Sequence, residues 1–354
     1  MAKTSCRIAI LGLDHWYSAL LFIPAFAAEP RIELAGIAHS DLKRAREVAS
    51  QVGVNRVVAD PAELIADPSI GAVAIFTSTD STSRLCVAAA RAGKHVVAIK
   101  PVARTLDEAT DVLAAVRAAG IRLMPTECIG PGGRRGPVEL VRRLVSDGRL
   151  GEVAFARCSI SAGLPRSWPD DSSPGWFVDP AKCAGGGWID HAVYEIDRLR
   201  WALGREVESV WGEVASARHT SLAVEDWGCA LARFRGGVLA ELRNDWFMPS
   251  TSMYQGQWEV AGTRGVVRVD EVSHRVGFAE TPPQGGSLDT WVDLAVPANF
   301  DMRDVAAHVA DVVMGRAEPL GGVEDAWSNL AFAEAFYEAA KTGAPVLVKE
   351  VPKP

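Results

Sequence analysis

The chain has 354 residues, enough for two domains that each bury a core of their own. Hydrophobic residues make up 48% of the chain and charged residues 23%, which is typical of a folded globular protein. The formal net charge of -7 argues against a nucleic-acid partner or an anionic membrane surface, because both need a basic face.

Short apolar runs alternate with helical segments through the first 125 residues. Strands are predicted over residues 7–12, 32–38, 72–77, 95–99 and 122–125. Helices are predicted up to residue 26 and over residues 42–52, 60–65, 83–92 and 105–119. This alternation is typical of a doubly wound parallel sheet, which we expect over residues 1–125.

The pattern changes after residue 151 to short runs in which apolar and polar residues alternate. These runs predict strands over residues 153–160, 210–217, 228–234, 238–244, 258–261 and 266–269. We expect residues 126–354 to form an α+β substrate-binding domain with a largely antiparallel open sheet. Helices near residue 190 and over 302–314 should pack on this sheet, and a final helix over 324–341 should pack back across it. An open sheet face suggests a homodimer or homotetramer.

Neither a membrane segment nor a metal site is expected. No run of about 18 apolar residues is present. Six cysteines are scattered singly, without a CxxC pair or a histidine cluster beside them. The first residues lead into an apolar strand without a signal-peptide cleavage site. We therefore expect reduced thiols and a cytoplasmic location.

A glycine turn follows the first strand, at the place where a dinucleotide pyrophosphate sits in this fold. The GxGxxG pattern would need glycine at positions 12, 14 and 17, but only Gly12 is present, with Asp14 and Tyr17 at the other two. His15 and Trp16 could add a hydrogen-bond donor and a stacking face. The alternative is an ordinary turn in which Asp14 caps the next helix.

The end of the second strand contains the candidate ribose site. An acidic residue there binds both ribose hydroxyls and favours NAD, but this chain has His39 and Ser40, with Asp41 one or two places later. Lys43 and Arg44 could meet a 2′-phosphate, so the sequence favours NADP over NAD. In the alternative, Ser40 or Asp41 caps the next helix and the two basic residues are solvated.

A run of three glycines at 185–187 precedes a predicted helix with two stripes. One stripe is apolar, and the other holds Asp190, Tyr194, Asp197 and Trp201. The positive helix terminus should favour the Asp190 carboxylate and lower the pKa of Tyr194. The alternatives are an N-cap aspartate on a partly exposed helix, and a structural Asp197 paired with an arginine at 198 or 200.

Two segments of the chain resemble motifs of the glucose-fructose oxidoreductase, inositol dehydrogenase and rhizopine catabolism family (Gfo/Idh/MocA). Residues 92–101 read AGKHVVAIKP and are similar to the family's AGKHVxxEKP segment. Residues 176–180 (WFVDP), the three glycines and the helix over 190–197 are similar to its WxxDP…GGG…DxGxHxxD pattern. The resemblance implies a Rossmann dinucleotide-binding domain over residues 1–125, followed over residues 126–354 by a domain for substrate binding and oligomerisation. It also implies hydride transfer between NAD or NADP and sugars, cyclitols or related alcohols.

The resemblance and the turn chemistry together assign candidate site residues. The predicted coenzyme-binding residues are Gly12, Asp14, His15, Trp16, His39, Ser40, Thr77, Lys100, Pro101 and Glu127. The predicted catalytic residues are Lys100, Tyr194 and Asp190. The predicted substrate-binding residues are Lys100, Trp168, Trp176, Asp190, His191 and Tyr194, around a neutral sugar or polyol.

Tyr194 is the expected proton acceptor, which requires its pKa to fall from about 10 by roughly two to three units. The ammonium of Lys100 could supply that lowering. Three departures from the family pattern weigh against an enzyme: the damaged glycine turn, Ile99 in place of glutamate, and Tyr194 at the histidine position. Some family members also use tyrosine there. The alternative is a catalytically inactive protein that senses a nucleotide or sugar.

Overall fold

Two β-sheets, one parallel and one mostly antiparallel, organise the computed structural model. The structure describes residues 5–250, 253–273, 275–280, 291–295 and 301–353. The strands are β1 Cys6–Leu11, β2 Ile32–Ala38, β3 Val57–Val58, β4 Ala72–Ile75, β5 His95–Ala98, β6 Leu123–Pro125, β7 Val153–Gly163, β8 Val207–Ala215, β9 Trp227–Phe234, β10 Leu239–Met248, β11 Tyr254–Gly262, β12 Gly265–Asp270, β13 Arg275–Glu280, β14 Val292–Leu294 and β15 Val346–Leu347. The helices are α1 Trp16–Ala28, α2 Leu42–Gln51, α3 Ala62–Ile65, α4 Thr79–Arg91, α5 Leu106–Ala119, α6 Thr126–Ile129, α7 Pro137–Ser146, α8 Ile189–Leu203, α9 Met302–Val313 and α10 Val323–Thr342.

The parallel sheet has the order β3-β2-β1-β4-β5-β6, and every pairing in it is parallel. Its central strands read as continuous apolar runs because helices cover both faces, and β4 is buried along its whole length. The strand order reverses between β1 and β4, so the carboxyl ends of these strands flank the crevice where such folds bind ligands. The predicted Rossmann-type domain is confirmed. Helix α4 begins at Thr79, one turn before the predicted start.

The second sheet has nine strands in the order β14-β13-β12-β11-β7-β10-β9-β8-β15. Only the β7–β10 pairing is parallel among its described strands. Along β9, Ala230, Ala232 and Phe234 are buried while Leu231 and Arg233 are exposed. The predicted largely antiparallel sheet is therefore confirmed. The sequence prediction missed β13, β14, β15 and α7.

Helix α9 does not pack where the sequence predicted. Its buried residues Val305, Ala306 and Val309 share a core with Phe22 and Ile23 of α1, so it covers the parallel sheet domain and not the antiparallel sheet. Helix α10 packs against β8, as expected, and also against α5. The division of the chain after residue 125 stays a prediction. Helix α9 belongs to the second part of the sequence but packs on α1 of the first. None of the described helices combines the length and apolar character that a membrane span needs.

A fully buried ion pair holds α8 against its neighbours. The carboxylate of Asp197 accepts two hydrogen bonds from the guanidinium of Arg134, at 2.9 and 2.7 Å, and Arg134 also donates to Asp325 of α10 at 2.6 Å. Asp197 is therefore structural, as the sequence indicated, but its partner is Arg134. The expected pairing with Arg198 or Arg200 is wrong, because those side chains leave the helix in other directions to Glu271 and Glu206.

We expect Asp197→Ala to lower the free energy of unfolding by about 3 kcal/mol, because it removes one partner of a buried ion pair. Urea denaturation followed by circular dichroism measures this loss. Glu33→Ala is the matched control, since it removes a carboxylate from the exposed Arg7–Glu33 pair and should cost less than about 1 kcal/mol. Equal losses in the two variants would contradict the structural role of the buried pair.

Candidate active site

Lys100 and Asp190, ninety positions apart, meet in a buried ion pair. Lys100 follows β5, and its Nζ donates to Asp190 Oδ1 at 2.6 Å and to the Asp190 carbonyl oxygen at 2.5 Å. The second carboxylate oxygen accepts from Trp246 Nε1 at 3.1 Å. Lys100 is 5% exposed and Asp190 is 17% exposed. The pair therefore joins the parallel sheet to the start of α8 and fixes the direction of the ammonium.

Electrostatics keep both members of this pair charged. Burial works to lower the pKa of Lys100, but the Asp190 carboxylate outweighs it and the net shift is upward. For Asp190, burial works to raise the pKa, but the Lys100 ammonium and the Trp246 hydrogen bond take it well below its usual range. The cleft thus presents a fixed positive charge beside a carboxylate at neutral pH.

Tyr194 lies one turn after Asp190 on α8, and its ring centroid is 5.2 Å from Lys100 Nζ. The ammonium thus lies over the face of the phenol ring, but Lys100 and Tyr194 line two different cavities, and their convergence on one cleft stays a prediction. The predicted lowering of the Tyr194 pKa is wrong for the protein alone: burial raises this pKa more than the Lys100 charge lowers it. The sequence could not reveal this balance, because it depends on how deeply the ring is covered.

Two histidines close to Asp190 are held neutral by burial. His191 Nδ1 lies 3.7 Å from Asp190 Oδ2, yet burial lowers the His191 pKa despite the carboxylate. His15 is more deeply buried, which lowers its pKa to about 3, and its Nδ1 has no hydrogen-bond partner among the described residues. His15 thus brings an unused ring nitrogen to the cleft.

The three glycines before α8 are required by close approach of the chain to itself. A Cβ on Gly185 would lie 2.1 Å from Tyr337 Oη, one on Gly186 would lie 1.9 Å from the Glu225 carbonyl oxygen, and one on Gly187 would lie 2.6 Å from the Asp226 carbonyl oxygen. No larger residue fits at these distances. The run therefore seats the first turn of α8, and with it Asp190, against the antiparallel sheet domain.

The turn after β1 has the features that a dinucleotide requires. Gly12 has φ +83°, and a Cβ there would lie 2.2 Å from Thr77 Cγ2, so only glycine fits. Helix α1 begins at Trp16 with His15 as its N-cap residue and no capping side chain, which leaves its positive end available to an anion. The alternative in which Asp14 caps α1 is therefore wrong. The buried Asp14 carboxyl instead interacts with the His39 imidazole, and burial raises its pKa.

At the candidate ribose site, after β2, some side chains already have partners within the protein. Asp41 accepts from the backbone N–H groups of Lys43 and Arg44 at 3.0 and 3.1 Å and so caps α2, which was the alternative reading of that residue. Ser40 is exposed beside it. Arg44 lies over the Trp168 ring at 4.8 Å, whereas the Lys43 side chain is 87% exposed. Lys43 is therefore the more exposed of the two basic groups, and its Nζ lies 4.0 Å from Glu47 Oε1 in a solvent-exposed pair.

The three candidate tryptophans have different surroundings. Trp16 stacks on Tyr17 with ring centroids 3.7 Å apart, and its Nε1 donates to the Arg166 carbonyl oxygen at 2.8 Å. Trp168 packs near Trp16 and under Arg44, and it lines neither of the cavities that border Lys100 and Tyr194. The Trp168 ring packs against the core of the first domain, which was the alternative for this residue, and its contact with a sugar stays a prediction. Trp176 does line the cavity beside Lys100.

Glu127 lies deep in the interior behind Lys100. Its Oε1 accepts from Asn329 Nδ2 at 3.4 Å, and its Oε2 has no partner among the described residues. Burial raises the pKa of Glu127 to about 8, with a further contribution from Asp197. The buried position and the Asn329 contact show a structural environment, and the predicted contact of Glu127 with coenzyme stays a prediction.

Two cavities border the first turns of α8. The smaller, about 20 Å³, is lined by His15, Lys100, Pro101, Trp176 and Asp190, among others. It has room for about one water molecule, so a ligand entering there must displace side chains. The larger cavity, about 460 Å³, is lined by His191 and Tyr194 on the neighbouring face.

Sequence reasoning missed two polar residues of β10. Trp246 binds the Asp190 carboxylate, and Asn244 Nδ2 donates to Glu195 Oε2 at 2.8 Å. Neither residue stands in a recognisable motif. Their positions follow only from the packing of α8 on β10, which brings together segments that are about fifty residues apart.

The chain has the architecture of a two-domain dinucleotide-dependent oxidoreductase, and comparison with known proteins identifies the family. Residues 6–127 match the model described as the oxidoreductase family with an NAD-binding Rossmann fold. Residues 138–268 match the GFO/IDH/MocA C-terminal domain. The protein therefore belongs to the Gfo/Idh/MocA family of oxidoreductases, and the resemblance noted in the sequence is confirmed.

Relatives with similar full-length chains carry enzyme names. The chain is 28% identical to 1,5-anhydro-D-fructose reductase of Ensifer adhaerens, with 88% of this chain and 90% of that protein aligned. It is also 28% identical to D-xylose 1-dehydrogenase (NADP(+)) 2 of Haloferax volcanii, over 92% and 94%. The solved structure of levoglucosan dehydrogenase in complex with NADH and L-sorbose has a TM-score of 0.85 at 19% identity, over 98% and 100% of the two chains, and shows the same fold.

Burial raises the pKa of Glu195, next to Tyr194, to about 8 despite the Asn244 hydrogen bond. The folded protein therefore holds a proton that the unfolded chain releases above about pH 4.5, so this group's contribution to stability is lost as pH rises towards 8. Glu195→Gln cannot ionise, and we expect its free energy of unfolding to rise relative to wild type across this range, by on the order of a few kcal/mol.

Urea denaturation of both proteins at several pH values between about 4.5 and 8 checks this expectation. Glu33→Gln alters an exposed carboxylate and controls for the loss of one charge. A constant difference between wild type and Glu195→Gln across the range would show that Glu195 is ionised in the fold.

Proposed function

We propose that the protein transfers hydride between a nicotinamide coenzyme and a secondary alcohol of a sugar, glycoside or cyclitol. The observation that carries this proposal is the Lys100–Asp190 ion pair beside the Tyr194 ring, at the carboxyl end of β5. The names of the relatives, reductases and dehydrogenases of sugars, support the same substrate class. The alternative of a catalytically inactive sensing protein has no support from these relatives, which carry the names of enzymes.

Each of the three side chains has a proposed task. When bound, the coenzyme supplies the hydride donor or acceptor. Lys100 donates a hydrogen bond to the reacting oxygen and stabilises negative charge on it, and Asp190 positions Lys100. Tyr194 keeps its proton because burial raises its pKa, so its phenol gives a proton to a carbonyl oxygen in reduction. In oxidation the same oxygen takes the proton from the alcohol, and the raised pKa makes that direction the less favourable one at neutral pH. His191 is too poorly protonated to replace Lys100 as a cation.

The coenzyme is NADP or NAD, with NADP favoured. The residues that would hold it are the Gly12 turn, the open end of α1 with His15, Thr77, and the Lys100–Pro101 segment. NADP is favoured because the Asp41 carboxylate already accepts from backbone N–H groups and so is not free to bind the two ribose hydroxyls of NAD, while the positively charged Lys43 side chain is exposed.

A homodimer or homotetramer is the proposed assembly. Helices cover one face of the nine-stranded sheet, and the opposite face exposes Trp211 and Leu231, which lie directly opposite each other on β8 and β9. Large apolar side chains adjacent on an open sheet favour association with a second copy. A cytoplasmic location remains the expectation from the scattered single cysteines.

Lys100→Ala and Tyr194→Phe should each lower kcat for reduction or oxidation of a polyol by on the order of 100-fold or more, because each removes a group acting on the reacting oxygen. Coenzyme absorbance measures turnover, and thermal unfolding verifies that both variants fold. Lys341→Ala, an exposed lysine on α10, is the control and should match wild type. Wild-type turnover in both site variants would end this assignment.

Lys43→Ala should weaken NADPH binding by about fivefold and leave NADH binding unchanged, because an exposed ion pair with a phosphate is worth about 1 kcal/mol. Fluorescence titration of the purified protein with each reduced coenzyme gives both dissociation constants. The proposal for NADP fails if wild type binds NADH more tightly than NADPH, or if Lys43→Ala weakens both coenzymes alike.

A further inference from the structure

The larger cavity beside the proposed site has walls of apolar side chains. Its volume of about 460 Å³ is in the range of pockets that hold a drug-sized ligand. It begins at Tyr194 and His191 and extends away from Lys100. The apolar lining residues are Leu21 of α1, Pro131, Pro137, Val138, Tyr254 and Trp258 of β11, Val269 of β12 and Met302 of α9.

The polar groups of this cavity bind mostly to one another. Arg198 forms an ion pair with Glu271 and donates to the Gly132 carbonyl oxygen at 2.7 Å, and Tyr254 Oη donates to Glu271 at 2.5 Å. A sugar or cyclitol has a hydroxyl on nearly every carbon, and each one buried without a partner costs free energy. The cavity therefore does not suit the polar part of the substrate.

Apolar side chains also remain exposed at the edge of the cavity. Leu21 and Tyr254 line it and are both 40% exposed, and the neighbouring Met253 is exposed as well. Burying such surface against an apolar ligand is favourable. Arg135, a half-buried lining residue, has no described side-chain hydrogen bond or ion pair, and a guanidinium of this kind can stack on an aromatic ring.

We propose that the substrate is a glycoside with a bulky apolar aglycone, aryl or long-chain alkyl, that occupies this cavity. The sugar lies at Lys100, Asp190 and Tyr194, and the aglycone passes Tyr194 and His191 into the space bounded by Leu21 and Trp258. This inference rests on the proposed function and specifies its substrate class. It replaces the expectation of a small neutral polyol with that of an amphipathic molecule.

The test compares matched methyl and phenyl glycosides of several pyranoses with the purified protein and its coenzyme. We expect kcat/KM to be at least about tenfold higher for the phenyl member of the preferred pair, which corresponds to about 1.4 kcal/mol. Leu21→Glu should abolish this gain, because it places a carboxylate in the wall that the aglycone contacts. Leu347→Glu, at an exposed leucine elsewhere, is the matched control and should keep the gain.

The outcomes separate this inference from the proposed function. Turnover of methyl and phenyl glycosides at equal kcat/KM refutes the apolar aglycone and leaves the oxidoreductase intact. A gain found only with a carboxyphenyl glycoside also refutes it and assigns the cavity to an anion bound by Arg135. If no pair is turned over, calorimetry measures the binding of each glycoside. Tighter binding of the phenyl member that is lost in Leu21→Glu supports an aglycone in the cavity and refutes the proposed function. Equal binding of the two members refutes both.

Discussion

The buried contact between Lys100 and Asp190 is the constraint on which the site depends. Removing two charges from water is costly, and such pairs are seldom the best way to stabilise a fold. Here the carboxylate also accepts from Trp246, and the ammonium also donates to a backbone carbonyl, so each charge is satisfied. The contact crosses from the parallel sheet to α8, so the same interaction that orients the ammonium also joins the two sheet domains.

The position of α8 follows from features that carry no chemistry themselves. The glycine run brings the chain against Glu225 and Asp226, and the Arg134–Asp197 pair fixes the middle of the helix. Because the start and the middle of α8 are both fixed, the helix has one orientation. That orientation determines where the side chains of Asp190, His191 and Tyr194 lie. The first turns of α8 contribute Asp190 to a small cavity beside Lys100, and His191 and Tyr194 to a larger, mostly apolar cavity.

Local sequence patterns predicted much of this structure. The alternation of apolar runs with helical segments gave the parallel sheet, and the two family motifs identified Lys100 and Asp190 before any geometry was known. Local sequence patterns could not predict contacts between segments that are distant in the chain. Helix α9 has an amphipathic pattern that fits either sheet, and only its packing on α1 shows which core it completes. The partner of Asp197, the role of Trp246 and the raised pKa of Tyr194 depend on tertiary burial in the same way.

The central claim is that the Lys100 ammonium and the Tyr194 phenol act on one reacting oxygen beside the nicotinamide. Determining the structure of the protein with coenzyme and a bound alcohol tests this most directly. We expect the alcohol oxygen to lie within about 3 Å of both Lys100 Nζ and Tyr194 Oη, with the nicotinamide ring against the carbon that bears this oxygen. The proposed mechanism would be contradicted by an alcohol bound away from Lys100, or by a nicotinamide ring that α8 separates from the alcohol.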